Sequence, residues 1–208
     1  KQRKRTWGIT LIKRVLKIVI GIQLIYLLLV NGVLQLQLTQ DLVNKIRPEK
    51  FYVTWEHAWS WYPFRVYAEG IFANGQARTQ QWEVTATSAS GSISVLPLIL
   101  KHVYLSDIQA ENIDYRQRPR LKPDIDYSSK LAYFPEIQGR EVVPVETAEQ
   151  KKKRPWKIHM NGLQALGDHR FWVYNMQGTA SGTAAGNLYT ETRRGAFWLD
   201  VEQFELDL

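Results

Sequence analysis

The residue types that carry enzyme chemistry are present in this chain, but their spacing does not assemble a site. No two histidines show the H-x-x-x-H or H-E-x-x-H spacing that places imidazoles on one helix face for zinc. The histidines are His57, His102, His159 and His169. Cysteine is absent, which excludes disulfides, thiolate zinc sites, iron–sulfur clusters and cysteine nucleophiles.

Two further patterns match known binding motifs only in part. Asp124 and Asp126 begin like a calcium loop, but Ser129 stands at the loop glycine and Pro135 at the terminal glutamate. The evenly spaced glycines of residues 178–186 lack the Lys-Ser/Thr of a phosphate loop, and they predict a thin strand with room for bulky groups opposite. We therefore predict no catalytic residues, no metal, no cofactor and no enzyme activity.

The positive charge of the chain is confined to its N-terminus. Seven Lys and Arg residues precede Ile18, with no Asp or Glu among them. Removing these seven from the 27 Lys and Arg residues leaves 20, which the 20 Asp and Glu residues balance. The net charge of +7 therefore describes a basic tail over residues 1–17, and nucleic acid is not an expected partner.

Residues 18–40 are predicted to be a transmembrane helix. They carry no charge until Asp41, and about 20 apolar residues span a hydrocarbon core of about 30 Å. A cleaved signal peptide and a buried soluble helix are the alternatives, but the long run favours a retained anchor. Because Lys and Arg stay cytoplasmic, we predict a cytoplasmic N-terminus and a domain outside the cytoplasm. The apolar anchor positions include Ile18, Leu24, Leu28, Leu34 and Leu38.

Two polar residues interrupt the apolar run. Asn31 and Gln35 are one helical turn apart, so they share a face and could bond a partner helix in the membrane. The alternative is that both lie near the outer interface. Beyond them, residues 41–50 are predicted to form an interfacial helix and linker, because Pro48 disfavours helix in the residue before it.

From residue 51 onward the pattern is the period-two alternation of β-strands. It divides into a first β region over residues 51–116 and a second over 155–208. Between them, residues 117–154 contain four prolines and end in a run of basic residues, which predicts a loop excursion or lid. We expect a mainly β fold, with one N-terminal transmembrane helix, a curled antiparallel sheet and few short helices.

The apolar positions change parity three times within these strands. The changes fall at Ser106-Asp107, at Glu111-Asn112 and between Val201 and Phe204. A β-bulge adds one residue to a strand and bends it, so each change returns the apolar residues to one face. The predicted lipid-facing set is Trp82, Val84, Val103, Leu105, Ile108, Ala110, Ile113, Tyr115, Phe197, Leu199, Val201, Phe204 and Leu206.

A basic N-terminus and an anchor leading into such strands resemble the AsmA-like family. The stretch Val103-Tyr-Leu-Ser-Asp-Ile-Gln-Ala-Glu-Asn-Ile-Asp-Tyr115, after a strand and a short apolar break, is similar to a recurring phrase of these proteins. The resemblance covers residues 1–115, with a looser echo in 156–208. It implies a bacterial inner-membrane anchor, a β-groove in the periplasm, and a role in phospholipid handling or envelope homeostasis.

The resemblance also implies the partners. The lipid bilayer and phospholipid acyl chains are expected, and other membrane-complex subunits are possible partners. The alternative function is a non-catalytic accessory subunit that docks on a larger membrane complex and binds no lipid. The two functions differ in what covers the apolar face. Lipid covers it in a lipid-handling protein, and protein covers it in an accessory subunit.

Overall fold

A computed structural model gives the positions of most of the chain. It describes residues 2–46, 48, 50–77, 79–94, 96–123, 125–140, 156–191 and 197–207. The basic run at 151–154 and the rest of 141–155 lie outside the described residues.

Two consecutive helices precede the sheet. The first, α1, spans Gln2–Gln35, and the second, α2, spans Gln37–Lys45. The break between them lies at Leu36, whereas the prediction placed the boundary between the anchor and the interfacial helix after residue 40. Leu36 has an extended backbone with ψ of 129° and breaks the helix there, and α2 ends before Pro48 as predicted.

The strands form one nine-stranded sheet that unites the two predicted β regions. A 3-10 helix at Leu96–Leu100 and a short helix, α3, at Ser128–Leu131 complete the secondary structure of the described residues. The mainly β fold with a long N-terminal helix and few short helices is confirmed. The strands are β1 Phe51–Thr54, β2 His57–Trp59, β3 Arg65–Gln76, β4 Gln80–Ser94, β5 His102–Glu111, β6 Asp114–Pro119, β7 Lys157–Val173, β8 Met176–Glu191 and β9 Phe197–Asp207.

The sheet is mixed, so the prediction of an antiparallel sheet was wrong in its middle. The strand order is β1-β3-β4-β5-β7-β8-β9, with β2 beside β3 and with β6 between β4 and β7. Strands β5 and β6 occupy one position and pair with β7 in parallel. A parallel pair needs a long crossover connection, and β6 ends at Pro119, 38 residues before β7 begins at Lys157. We call the end at Arg65, Ser94 and His102 the near end, and the end at Gln76, Gln80 and Pro119 the far end.

The described part of the predicted excursion is packed against the sheet. Residues 117–119 belong to β6, and Leu121, Pro135 and Ile137 are buried. Gln138 donates its backbone N–H to Glu83 in β4, at 2.9 Å. Residues 120–140 therefore form a cover on the sheet rather than a free loop.

Candidate functional site

The predicted apolar residues of β5 lie on one face because of a bulge at Asp107. Asp107 has a positive φ of 51°, and β5 takes three residues from Ser106 to Gln109 where β4 takes two. Side chains opposite one another in a sheet share a face, and alternate residues share a face along a strand. The extra residue returns Ile108 to the side of Leu105, so the first predicted slip is confirmed.

The second predicted slip, at Glu111-Asn112, is not an extra residue in the β5–β6 position. From Glu111 to Asp114 this position and β4 each take three residues, whereas β7 takes four, from Leu166 to Arg170. Ala110 pairs with Ala165, and Tyr115 pairs with Phe171. Ala165 and Phe171 are six residues apart in β7. The β5–β6 position makes the same distance in five residues, so the extra residue lies in β7, where Gly167 has φ of 90° beside Asn112 with φ of 52°.

At the far end, the predicted residues Trp82 and Val84 of β4 share a face with Tyr115 of β6. Val84 pairs with Tyr115, and Trp82 pairs with Gln117. The Trp82 ring covers Gly75, where a Cβ atom would come within 2.5 Å of the indole. The glycine therefore gives the ring a place to lie flat on β3.

Strand β9 carries the third slip. Gly186 pairs with Val201 and Ala184 with Phe204, so β9 has one residue more than β8 there. Leu199, Val201 and Phe204 are 55%, 54% and 63% exposed. The backbones of Phe197 and Leu206 pair with Thr190 and Gly182.

The structure therefore brings the predicted residues of β5, with Leu199, Val201 and Phe204 of β9, to one face, which we call the apolar face. It also adds residues of β7 and β8 that the sequence analysis missed. A change of apolar parity in the sequence could have revealed them, since it runs from Ile158 and Met160 to Leu163 and Ala165. In the structure, Gly162 lies between these pairs and has φ of 62°. The added apolar residues are Ile158, Met160, Leu163, Ala165, Ala184 and Leu188.

The opposite face of the sheet at its far end holds a buried polar network. Arg118 is 5% exposed and donates to the side chain of Gln81 at 3.0 Å and to the backbone carbonyl of Arg140 at 2.6 Å. Arg140 in turn donates to Asn74 Oδ1 at 3.1 Å, and Asn74 donates to the carbonyl of Gln138 at 2.8 Å. Residues 120–140 thus cover the polar face and leave the apolar face bare.

The usual pattern of burial is therefore reversed, because more polar than apolar side chains are buried among the described residues. Among the described residues, the buried apolar side chains are only Ala58, Ala86, Leu121, Ile137 and Ala180. The buried polar and charged ones are Gln40, Ser60, Asn74, Gln76, Gln81, Glu83, Arg118, Arg120 and Arg140. Large apolar side chains are normally the buried ones, so an apolar face of this size indicates a surface that something else covers.

The long helix borders the apolar face at the β2–β3 edge. Ala58 of β2 pairs with Ala68 and is 2% exposed. Beside it, an apolar cleft of about 430 Å³ lies between helix and sheet. The cleft is lined by Tyr26, Val30, Leu34, Ser60, Pro63, Phe64 and Val66.

Polar side chains of the helices bind the backbone of this edge. Asn31 forms two hydrogen bonds with the Ser60 backbone, accepting at 2.7 Å and donating at 3.1 Å. Gln35 donates to the carbonyl of Ala58 at 2.9 Å. Neither alternative from the sequence foresaw this, because the partner of both amides is the protein's own edge strand.

Four aromatic rings form a ladder across the polar face at the near end. Tyr104 stacks on His159 at 4.2 Å, His159 lies 4.6 Å from Tyr189, and Tyr189 stacks on Trp198 at 4.4 Å between centroids. Burial lowers the pKa of His159, and the neighbouring His102 and Lys157 lower it further. The imidazole is therefore favoured in its neutral form.

The histidines do not converge on a metal geometry. Across the described ranges, no three His, Asp or Glu side chains are grouped as metal ligands. His169 Nδ1 accepts a hydrogen bond from the Ile113 N–H at 3.3 Å, which assigns the proton to the buried Nε2. The predicted lack of enzyme activity, metal and cofactor stays a prediction.

Comparison with known proteins adds no family to this description. No family model, no curated protein and no solved structure matches the chain. The helix segment Ile12–Gln35 is long and apolar enough to cross a membrane. The protein is thus a β-sheet protein with one N-terminal helix able to serve as a membrane anchor.

Proposed function

We propose that this chain is a single-pass membrane protein that holds phospholipid acyl chains on the apolar face of its sheet. In this proposal the N-terminus is cytoplasmic, the sheet lies in the periplasm of a bacterial envelope, and the bulged strands form an AsmA-like groove. The sequence resemblance and the basic tail support the location. The three bulges support a curved sheet, because a bulge bends its strand and raises its twist.

The reversed pattern of burial is the observation that carries the proposal. The chain covers its polar face with residues 120–140 and leaves Leu199, Val201 and Phe204 more than half exposed. Removing apolar surface from water stabilises by roughly 25 cal/mol per Å², so an acyl chain on this face stabilises both partners. Every described cover lies on the polar face or along the β1–β2 edge, which leaves the apolar face open to such a ligand.

A charge placed on the apolar face should displace the lipid. We expect Leu105→Glu to lower the phospholipid that co-purifies with the detergent-solubilised protein at least fivefold, because an unpaired carboxylate against hydrocarbon costs several kcal/mol. Quantitative lipid extraction with mass spectrometry measures it. Gln109→Glu is the matched control, since Gln109 lies on the polar face of the same strand and should keep wild-type lipid.

Thermal unfolding of both variants separates lipid loss from loss of the fold. Equal lipid in Leu105→Glu, Gln109→Glu and the wild type, with all three folded, would contradict the proposal. Photo-crosslinkers at Val201 and Met160 give an independent readout and should capture phospholipid.

The orientation has its own test. A reporter enzyme that is active only outside the cytoplasm, fused at the β7–β8 turn next to Asn175, should be active in cells. The reason is the seven basic residues on the N-terminal flank of the helix. Activity of a cytoplasm-only reporter at the same place would reverse the topology.

One observation favours a second candidate, the accessory subunit. Strand β9 is an edge of the sheet, eleven residues long, and it exposes Trp198 on one face and Leu199 and Val201 on the other. Edge strands of this kind template pairing with a further strand. Crosslinkers at Val201 and Met160 that capture only protein would establish this candidate in place of lipid binding.

A further inference from the structure

An exposed apolar tip lies at the near end of the sheet. It comprises two connections, one between β2 and β3 and the other the 3-10 helix between β4 and β5. The backbone N–H of Ile93 joins them by donating to the carbonyl of Phe64 at 2.8 Å. The apolar tip consists of Trp61, Tyr62, Phe64, Leu96, Ile99 and Leu100, which are 61%, 50%, 60%, 81%, 81% and 69% exposed.

The tip is fixed at a definite height along the long helix. Gln23 donates to the carbonyl of Trp61 at 2.6 Å, and Tyr26 shares a hydrogen bond with the Ser60 hydroxyl at 2.7 Å. Gln23 precedes Gln35 by twelve residues. At 1.5 Å per residue, the tip lies about 18 Å along the helix from Gln35 towards the N-terminus.

This height falls inside the segment that can cross a membrane. That segment is Ile12–Gln35, and Gln23 is near its middle. The uncharged residues before Gln23 begin at Ile18 and cover only about 8 Å, far short of a hydrocarbon core of about 30 Å. If the helix crosses the bilayer, the hydrocarbon must therefore extend past the level of the tip.

The hydrogen bonds between the helix and the sheet edge satisfy backbone groups that would otherwise be unpaired in hydrocarbon. An open sheet edge does not occur in hydrocarbon, because unpaired backbone groups there cost several kcal/mol each. The carbonyls of Ala58, Ser60 and Trp61 are each bound by an amide of Gln35, Asn31 or Gln23. These donors are uncharged, which is the kind of polar group that membrane helices use between segments.

The residues above the tip have the character of a membrane interface. Lys101 directly follows the 3-10 helix, and Lys157 donates its backbone N–H to the Lys101 carbonyl. Tyr104, the first ring of the aromatic ladder, is three residues further along β5, about 10 Å from Lys101. Aromatic rings and basic side chains are enriched at the level of lipid headgroups.

We propose that the apolar tip inserts into the bilayer beside the helix, at a depth inside the hydrocarbon that the helix crosses. This inference rests on the membrane anchor of the proposed function but not on acyl chains being held along the sheet. The sheet would then begin inside the hydrocarbon. The bilayer is the committed partner, and a second copy or another protein on the tip is an outcome that the test detects.

The absence of cysteine allows single labels to be placed without removing native residues. Three variants of the full chain, Ile99→Cys, Asn175→Cys and Leu28→Cys, carry the fluorophore NBD in nanodiscs of phosphatidylethanolamine and phosphatidylglycerol. They report on the tip, on the far turn and on a lipid-facing position of the helix, where Leu28 is 76% exposed. Lipids with a nitroxide on the acyl chain measure depth, and dithionite measures access from water.

The expected result is that nitroxide quenches the labels at Ile99 and Leu28 strongly and the label at Asn175 weakly. Dithionite should reduce the Asn175 label at least tenfold faster than the other two. Tip insertion is overturned if Leu28 is quenched but Ile99 reacts with dithionite as fast as Asn175. It is also overturned if Ile99 is protected from dithionite without nitroxide quenching, which would mean that protein covers the tip. A Leu28 label open to water would overturn the anchor as well.

Discussion

Two regions of this protein cover the sheet, and they do so with different polar groups. Residues 120–140 cover the polar face at the far end, where the guanidinium of Arg118 binds a side chain and backbone carbonyls. The helices cover the β1–β2 edge, where neutral carboxamides bind backbone groups. The carboxamides are those of Gln23, Asn31, Gln35, Gln40 and Asn44.

The difference follows the medium that we propose for each region. A charged side chain at the centre of a membrane helix costs about 2.5–3.5 kcal/mol in insertion, whereas a hydrogen-bonded amide between segments contributes about 0.6 kcal/mol of stability. Arginine makes the stronger, charge-assisted bonds, and Arg118 makes them at the far end of the sheet. In both regions, hydrogen bonds of polar side chains hold the cover to the sheet, and apolar side chains such as Leu199 and Phe204 stay exposed.

Breaking the arginine cover should have the largest effect on stability. Arg118→Ala removes donors from Gln81 Oε1 and from the carbonyls of Pro135 and Arg140, all of them buried. Unsatisfied buried acceptors and the lost charge-assisted bonds should together cost about 3 kcal/mol. Thermal unfolding by circular dichroism should show a Tm lower by roughly 6–12 °C for a domain of this size.

The matched control for this variant is Arg170→Ala. Arg170 has a side chain that is 73% exposed and forms an ion pair with Asp114 at 3.5 Å. Exposed pairs contribute about 0–1 kcal/mol, so its Tm should stay within about 3 °C of the wild type. Equal Tm values for the two variants would show that residues 120–140 are not held by Arg118.

Breaking one amide contact at the helix should have an intermediate effect. Asn31→Leu removes both bonds to the Ser60 backbone, worth about 1 kcal/mol in a membrane-like medium. Hydrogen exchange of the Ser60 N–H in detergent should become about fivefold faster, because its acceptor is gone. Gln37→Leu is the control, since this exposed residue begins α2 and should leave that exchange unchanged.

The strands and two of their three slips, at Ser106-Asp107 and in β9, could be predicted because the alternation of apolar residues in the sequence marks both. Ser106-Asp107 and Glu111-Asn112 mark where apolar parity changes, and the structure has positive φ angles at Asp107 and Asn112. Asn and Asp adopt this backbone more readily than other side chains, so the polar pairs were also chemically suited to it. The apolar face therefore followed from residues that neighbour one another in the chain.

The two covers could not be predicted, because their partners are far apart in the chain. Arg118 and Gln81 are separated by 37 residues, and Arg140 and Asn74 by 66. Nothing periodic in the sequence of residues 117–154 indicates that its described part, up to Arg140, packs on the polar face, and prolines there favoured a loop. The parallel pairing of β5 with β7 was missed for the same reason, since it depends on where that long connection ends.

The smallest effect is expected at the aromatic ladder, the open part of the polar face. Burial lowers the pKa of His159 below its ordinary value of 6.5, so the folded protein binds this proton less readily than the unfolded chain. Stability from this residue is then fully present above pH 6.5 and is lost as the pH falls below 6.5 towards the folded pKa. His159→Phe keeps a ring between Tyr104 and Tyr189 but cannot titrate, so its Tm should fall less than that of the wild type between pH 7.5 and pH 5. We expect the two slopes to differ by about 1 °C over that range, with His57→Phe, at an exposed position, following the wild type. A steeper fall in His159→Phe than in the wild type would mean that the folded ladder favours the charged imidazole.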